Sequence, residues 1–236
     1  MNEEDLNNEI YYDNIDLNKY KYEILKDNFD NYDLSFKIII IGNSGVGKTN
    51  LSNRAIRKKF ETNHSMTIGF EFFSFNININ NKNLRLQIWD TCGQEIYRSL
   101  IQNFYKNSSL AVLVYSIDDR KSFEKINFWF KEVKQYANTN IKIFLIGNKS
   151  DLNETRKVST EEGLNFYNDY KFNLFCESSA KTGHNIGKIF IKAGFILYDD
   201  YLNNLNECDS TENESIHIND KNSFNSINSK QKRNCC

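Results

Sequence analysis

The chain has 236 residues, a net charge of −1 at pH 7 and 39% hydrophobic residues. That length suits one domain with extensions, the hydrophobic share allows a sizeable core, and the balanced charge speaks against nucleic acid as a partner. Five cysteines without disulfide or zinc spacing fit a reducing cytosol, and no apolar run reaches the ~18 residues of a membrane span.

Residues 1–34 form a polar, acidic N-terminal extension rich in Asn, Asp and Tyr, without a clear period. Its composition predicts a flexible segment, within which Tyr20, Tyr22, Ile24 and Leu25 offer a short docking stretch. The start, Met1-Asn2-Glu3-Glu4-Asp5, is the reverse of a secretory or transit leader, and Asn2 excludes N-myristoylation. From about residue 35 to about 205, strand-like and helix-like stretches alternate. Strand signals fall at 36–41, 70–79, 84–89, 110–117, 141–146 and 172–176. The second and third flank the polar Asn80-Asn81-Lys82-Asn83, which predicts a hairpin. Helical stretches separate the others, which predicts right-handed crossovers and a mostly parallel sheet of the α/β class. In the last helix Ile186, Ile189, Phe190, Ala193 and Leu197 share one face. Residues 206–236 are Asn/Ser/Glu-rich, too polar to pack, and end Lys230-Gln231-Lys232-Arg233-Asn234-Cys235-Cys236.

Gly42-Asn43-Ser44-Gly45-Val46-Gly47-Lys48-Thr49 lies between the first strand of this series and a helix. Strand, G-x-x-x-x-G-K-[ST], helix is the context of a phosphate-binding loop. Glycines let main-chain N–H groups turn onto phosphate oxygens, and the helix points its positive end at the same place. Lys48 can reach the β- and γ-phosphates, and the Thr49 hydroxyl can hold Mg²⁺. Asp90-Thr91-Cys92-Gly93-Gln94 follows another strand. Asp90 there can bind Mg²⁺ through water, Gly93 lets an N–H approach a terminal phosphate, and Gln94 can orient an attacking water. Thr67-Ile68-Gly69 precedes the hairpin, and a second hydroxyl, Thr67, can close on Mg²⁺ when a γ-phosphate is present.

Asn148-Lys149-Ser150-Asp151 also follows an apolar strand. Asp151 can accept from guanine's ring N–H and exocyclic amine; adenine offers no matching donors and a dry carboxylate rejects it. Lys149 can lay its stem along the base, Phe60 can offer a ring face to it, and Ser179-Ala180-Lys181 can present a main-chain N–H to guanine's O6. The order of these motifs selects guanine and disfavours a phosphate-loop kinase or ATPase.

The set G-x-x-x-x-G-K-T, T-I-G, W-D-T-x-G-Q-E, N-K-x-D and S-A-K resembles the Ras superfamily of small GTPases over about residues 35–205. Thr67-Ile68-Gly69-Phe70-Glu71-Phe72, Trp89-Asp90-Thr91 and the terminal cysteine pair resemble its Rab branch, the switches of vesicle traffic. The resemblance implies a small G-domain: a six-stranded, mostly parallel sheet with one antiparallel strand, and five flanking helices. It implies that Ser44, Gly45, Val46, Gly47, Lys48, Thr49 and Asn50 cradle GTP or GDP, and that Lys48 and Gln94 serve catalysis. It implies mobile switches around Thr67 and from Asp90 to about Lys106, and an effector-facing aromatic triad at Phe72, Trp89 and Phe104. Exchange factors, GTPase-activating proteins, a prenylation escort, a GDP-dissociation inhibitor and GTP-dependent effectors would be its partners, with the chain itself a monomer. Tyr97-x-Ser99-Leu100 and Trp129-x-Lys131-Glu132 resemble the early-endosomal branch, whereas Leu84-Arg85-Leu86-Gln87 resembles a Golgi retrograde one.

The last four residues do not fit C-a-a-X prenylation, but Cys235 and Cys236 match the Rab pattern of two geranylgeranyl groups. Two lipid chains give stable anchoring where one gives marginal binding. The expected location is the cytosol and the cytoplasmic face of membranes, on the endocytic route. Three residues depart from the pattern: Asn43 stands where Rabs usually carry Asp, Cys92 where Ala is usual, and Ile96 where Arg is common. The last two bear on hydrolysis more than on binding, and leave open a nucleotide-binding scaffold with little turnover.

Overall fold

The computed structural model describes residues 11–13, 15–26, 29–61, 69–92 and 104–216. An eight-stranded sheet runs in the order β1-β8-β7-β6-β3-β5-β4-β2. Its strands are β1 (Tyr11–Asp13), β2 (Tyr22–Ile24), β3 (Leu34–Ile41), β4 (Phe70–Ile79), β5 (Lys82–Thr91), β6 (Leu110–Ser116), β7 (Lys142–Asn148) and β8 (Leu174–Glu177). Five α-helices accompany them among the described residues: α1 (Lys48–Arg57), α2 (Arg120–Glu124), α3 (Ile126–Tyr136), α4 (Thr160–Tyr170) and α5 (Ile186–Ile216).

The six expected strands are all present. The expected count of six, and of one antiparallel strand, is corrected: β1 and β2 come from the polar segment ahead of β3 and pair antiparallel with β8 and β4, one at each edge. Three-residue strands of mixed character carry no readable period, and they form only because an edge strand offers unpaired N–H and C=O groups. Between them β8, β7, β6, β3 and β5 are parallel, and β4 and β5 form the antiparallel hairpin.

The central strands are apolar on both faces because helices cover both. Ile38, Ile39, Ile40 and Ile41 of β3 are wholly buried, as are Leu110 to Val114 of β6. The hairpin turns at Asn80 and Asn81, whose φ values of 48° and 65° suit a two-residue primed turn, and β5 resumes at Lys82. Ser159 and Glu162 start α4 with a reciprocal capping box. In α5 the predicted face is buried, Ile189 and Phe190 fully. Lys192 and Phe195 are also buried, on a second face that the periodicity does not announce. The helix runs past Leu205 to Ile216, into the segment whose composition suggests an unpacked tail.

Candidate nucleotide site

Because β3, β5, β6, β7 and β8 are mutually parallel, their C-terminal ends share one edge of the sheet. Ligands bind such sheets there, where the strand order reverses. Four motifs lie at or just beyond those ends: the phosphate loop after β3, Asp90 near the end of β5, Asn148 at the end of β7, and Ser179 after β8. Register does the fine placement, setting Ile40 opposite Asp90, Ser116 opposite Asn148 and Gly147 opposite Glu177.

The loop turns through positive φ at Gly45 and Gly47, 79° and 94°, and Gly47 caps α1 in the left-handed conformation. A Cβ at Gly47 would meet Asn148 Nδ2 at 2.5 Å, so glycine is required twice over. Lys48 is buried and donates to Gly42 O and Asn43 O, both at 2.8 Å. Burial pushes its ammonium down to about 8, while the charges of Asp90 and Cys92 act in the opposite direction. The loop thus holds a cation ready for anionic oxygen. Thr49 Oγ1 donates to Asp90 Oδ2 at 2.5 Å. A hydroxyl and a buried carboxylate in contact form the all-oxygen donor set that magnesium prefers, so these residues fit the ion. Such an ion, when bound, neutralises charge on the phosphate oxygens.

Asn148 is buried and ties three loops together. Its Nδ2 donates to Val46 O at 2.8 Å, and its Oδ1 accepts from Ser178 Oγ and Ala180 N, each at 3.4 Å. Its side chain is therefore a brace between phosphate loop and base loop. Asp151 Oδ1 accepts from Ser179 Oγ at 2.5 Å, and Lys181 Nζ stands 3.8 Å from Oδ2. These contacts hold the carboxylate in one orientation. Lys149 adopts φ 64° and its Nζ lies 4.0 Å from Asp118. The Ser179 hydroxyl also accepts from Thr182 N at 3.1 Å, closing the turn that presents Ala180 and Lys181.

The Asn50 side chain exchanges hydrogen bonds with the Glu61 main chain, at 3.1 and 3.3 Å, and so fixes the chain beyond α1. Phe60 is half-buried in that same stretch. Ser44 is exposed at the tip of the phosphate loop and Val46 is buried beneath it. Thr67, Gly93, Gln94, Ile96, Cys235 and Cys236 lie outside the described residues.

Three features escape sequence reasoning. Asn43 accepts from Trp129 Nε1 at 2.9 Å, which fastens the phosphate loop to α3. Arg156 grips Glu177 with two bonds of 2.7 Å, joining the segment after Asp151 to the strand before Ser179. The aromatic surface has a fourth ring: Phe70 lies 4.6 Å from Phe104 and 5.2 Å from Trp89, while Phe72 and Phe104 lie 5.4 and 5.3 Å from Trp89. Lys37 Nζ sits over Trp89 at 5.1 Å, and burial pushes its ammonium pKa down. Only the Phe70 signal was within reach of sequence, as an aromatic residue alternating with Phe72 along one strand.

Cys92 is buried and its N–H closes the hairpin's open end on Gly69 O at 3.0 Å. A small thiol is accommodated there without disturbing the contact between Thr49 and Asp90.

Sheet, loop and carboxylates together define a phosphate-loop nucleotide-binding domain. The family model described as the Ras family matches residues 37–197, and the chain belongs to that family. It therefore carries a small GTPase domain, of a kind that binds GTP and GDP, generally with Mg²⁺. Members generally work through exchange factors, GTPase-activating proteins and effectors.

Proposed function

We propose that the chain is a Rab-type switch that alternates between GTP and GDP, hydrolyses GTP slowly unless assisted, and recruits effectors to endocytic membranes. The observation that carries this reading is the ring cluster of Phe72, Trp89 and Phe104. Phe72 is 48% exposed and Phe70 46%, an amount of aromatic surface that a monomer gains nothing by presenting to water. Phe72 and Trp89 sit on the hairpin whose two ends lead to Thr67 and Asp90, so nucleotide state and docking surface share one element. Supporting it are the terminal Cys235-Cys236 and the basic Lys230, Lys232 and Arg233 beside them. Two geranylgeranyl groups on the cysteines would anchor the chain, with residues 206–236 as tether and residues 35–205 as the switch domain.

In hydrolysis Lys48 holds the β- and γ-phosphate oxygens, main-chain N–H groups of the loop stabilise developing charge, and Gln94 positions the attacking water. No arginine is placed at the γ-phosphate by the motifs, so unassisted turnover should be on the order of the ~10⁻⁴ s⁻¹ known for Ras.

Single-turnover hydrolysis of GTP by the parent and by Gln94→Leu tests the switch. Microscopy of the tagged chain beside Cys235→Ser/Cys236→Ser tests anchor and address together. Endosomal puncta that become diffuse in the double variant are expected. Golgi puncta would reassign the compartment, and unchanged puncta would overturn the lipid anchor. Retention of ATP as tightly as GTP would overturn the function altogether.

A further inference from the structure

The described residues ahead of β3 pass from one edge of the sheet to the other. At the first edge Tyr11 to Asp13 pair with Cys176 to Leu174 of β8. At the opposite edge Tyr22 to Ile24 pair with Ile79 to Ile77 of β4. In between, the segment is fastened to α5. Lys192 Nζ donates to both carboxylate oxygens of Asp13, at 3.0 and 2.8 Å, and to Ile15 O at 3.1 Å. The two side chains are only 8% and 4% exposed. Tyr20 and Tyr22 set their ring edges against Phe195 at 5.4 and 5.5 Å.

The grip continues along the hairpin. Leu25 N donates to Asn76 O at 2.9 Å, Asn76 Nδ2 to Lys26 O at 3.0 Å, and Asn80 N to Lys21 O at 3.0 Å. Arg85 donates to Phe29 O, reaches Asp30 at 3.0 Å and stacks 4.4 Å over Tyr32. Asp33 accepts from Asn83 N at 2.8 Å.

A buried lysine is tolerable only with its counter-charge, and a buried Phe195 only under a cover. α5 therefore carries a face built for this segment. Two of the elements the segment holds lead to the nucleotide site: β8 runs into Ser178 and Ser179 of the base loop, and β5, gripped at Asn83 and Arg85, carries Asp90 one residue before its end. We infer that the described residues between 11 and 33 act as a positioning strap, which locks the switch-bearing hairpin against α5 and the base-reading edge and thereby slows nucleotide release. This rests on the GTPase reading. Its three-residue strands are short, so the strap depends on two side-chain anchors, Asp13 with Lys192 and the Arg85 cluster.

The test uses the full chain loaded with fluorescent GDP and chased with unlabelled GDP. Lys192→Met and Arg85→Gln each remove one anchor; Lys192→Arg and Arg85→Lys keep the charge. Hydrogen exchange at residues 22–25 reports whether the strap has let go. The expected result is lost protection there and release at least about fivefold faster, the low end of coupling between linked sites, with both conservative variants restoring slow release. Lost protection with unchanged release would overturn the inference, and so would amides that stay protected in both variants. Arg85 is partly buried, but its charged partner Asp30 is 90% exposed, so Arg85→Gln strands no buried charge and its variant folds even if Lys192→Met does not. A parent chain that takes up no GDP would instead defeat the GTPase reading, and exchange across residues 70–79 would still measure the grip on the hairpin.

Discussion

Replacing Asn148 by Ala separates the three loops that form the site. Asn148 is 1% exposed, and the variant strips the buried Val46 carbonyl of its 2.8 Å partner. A buried polar group left without a partner costs about 1–3 kcal/mol, and this bond is short enough to stand near the upper end. The contacts from Ser178 Oγ and Ala180 N, at 3.4 Å, lie at the limit of hydrogen bonding and add a smaller share. The sum is about 3 kcal/mol, or roughly a hundredfold in affinity if the bound state bears it, since only there must both loops be held at once. The assay is equilibrium displacement of fluorescent GDP from the full chain, paired with a thermal melt of the nucleotide-free protein. Asn148→Asp sharpens the test. It keeps the size and the acceptor but sets a carboxylate against Val46 O, so it should bind no better than the alanine variant. An Asn148→Ala protein with parental affinity would refute the idea that this amide joins phosphate loop to base loop.

Gly47→Ala forces a side chain into φ 94° and against Asn148 Nδ2. The left-handed strain alone is about 1–2 kcal/mol, so GDP binding measured by calorimetry should fall at least about fivefold, and unaltered binding would sink the steric argument. Ser159→Ala removes the hydroxyl half of the box that starts α4, the acceptor for Glu162 N, and denaturant unfolding should show a loss of about 1 kcal/mol with nucleotide affinity unchanged. Lys48 gives a pH signature. Below pH 8 it is charged whether the chain is folded or not; between about 8 and 10.5 the folded chain has shed a proton that the unfolded chain keeps. The nucleotide-free protein therefore gains up to about 3 kcal/mol across that window, a gain that Lys48→Met lacks. Denaturant curves of both proteins at rising pH should show the parent gain on the variant, and a constant difference would contradict the buried charge.

The chemistry of the site was legible in the sequence because it is local. Gly47, Lys48 and Thr49 are neighbours on one turn, and Asp151 stands three residues from Asn148. Backbone conformation and strand ends dictate where such side chains point, so spacing carries the information. Parallel strands then guarantee that their ends meet, which is why alternation of elements was enough to bring four motifs to one edge.

What partners those side chains choose was decided only by the tertiary structure. Nothing near Asn148 says that its amide faces Val46, 102 residues earlier, and nothing near Lys192 says that Asp13 waits 179 residues away. The polar N-terminal segment lacks the apolar period from which a strand could be read, yet it supplies β1 and β2. Sequence determines local shape and the chemistry a loop can perform, since both depend on adjacent residues. Edge pairing and buried ion pairs depend on surfaces that exist only after the rest of the sheet has formed, and those the fold alone supplied.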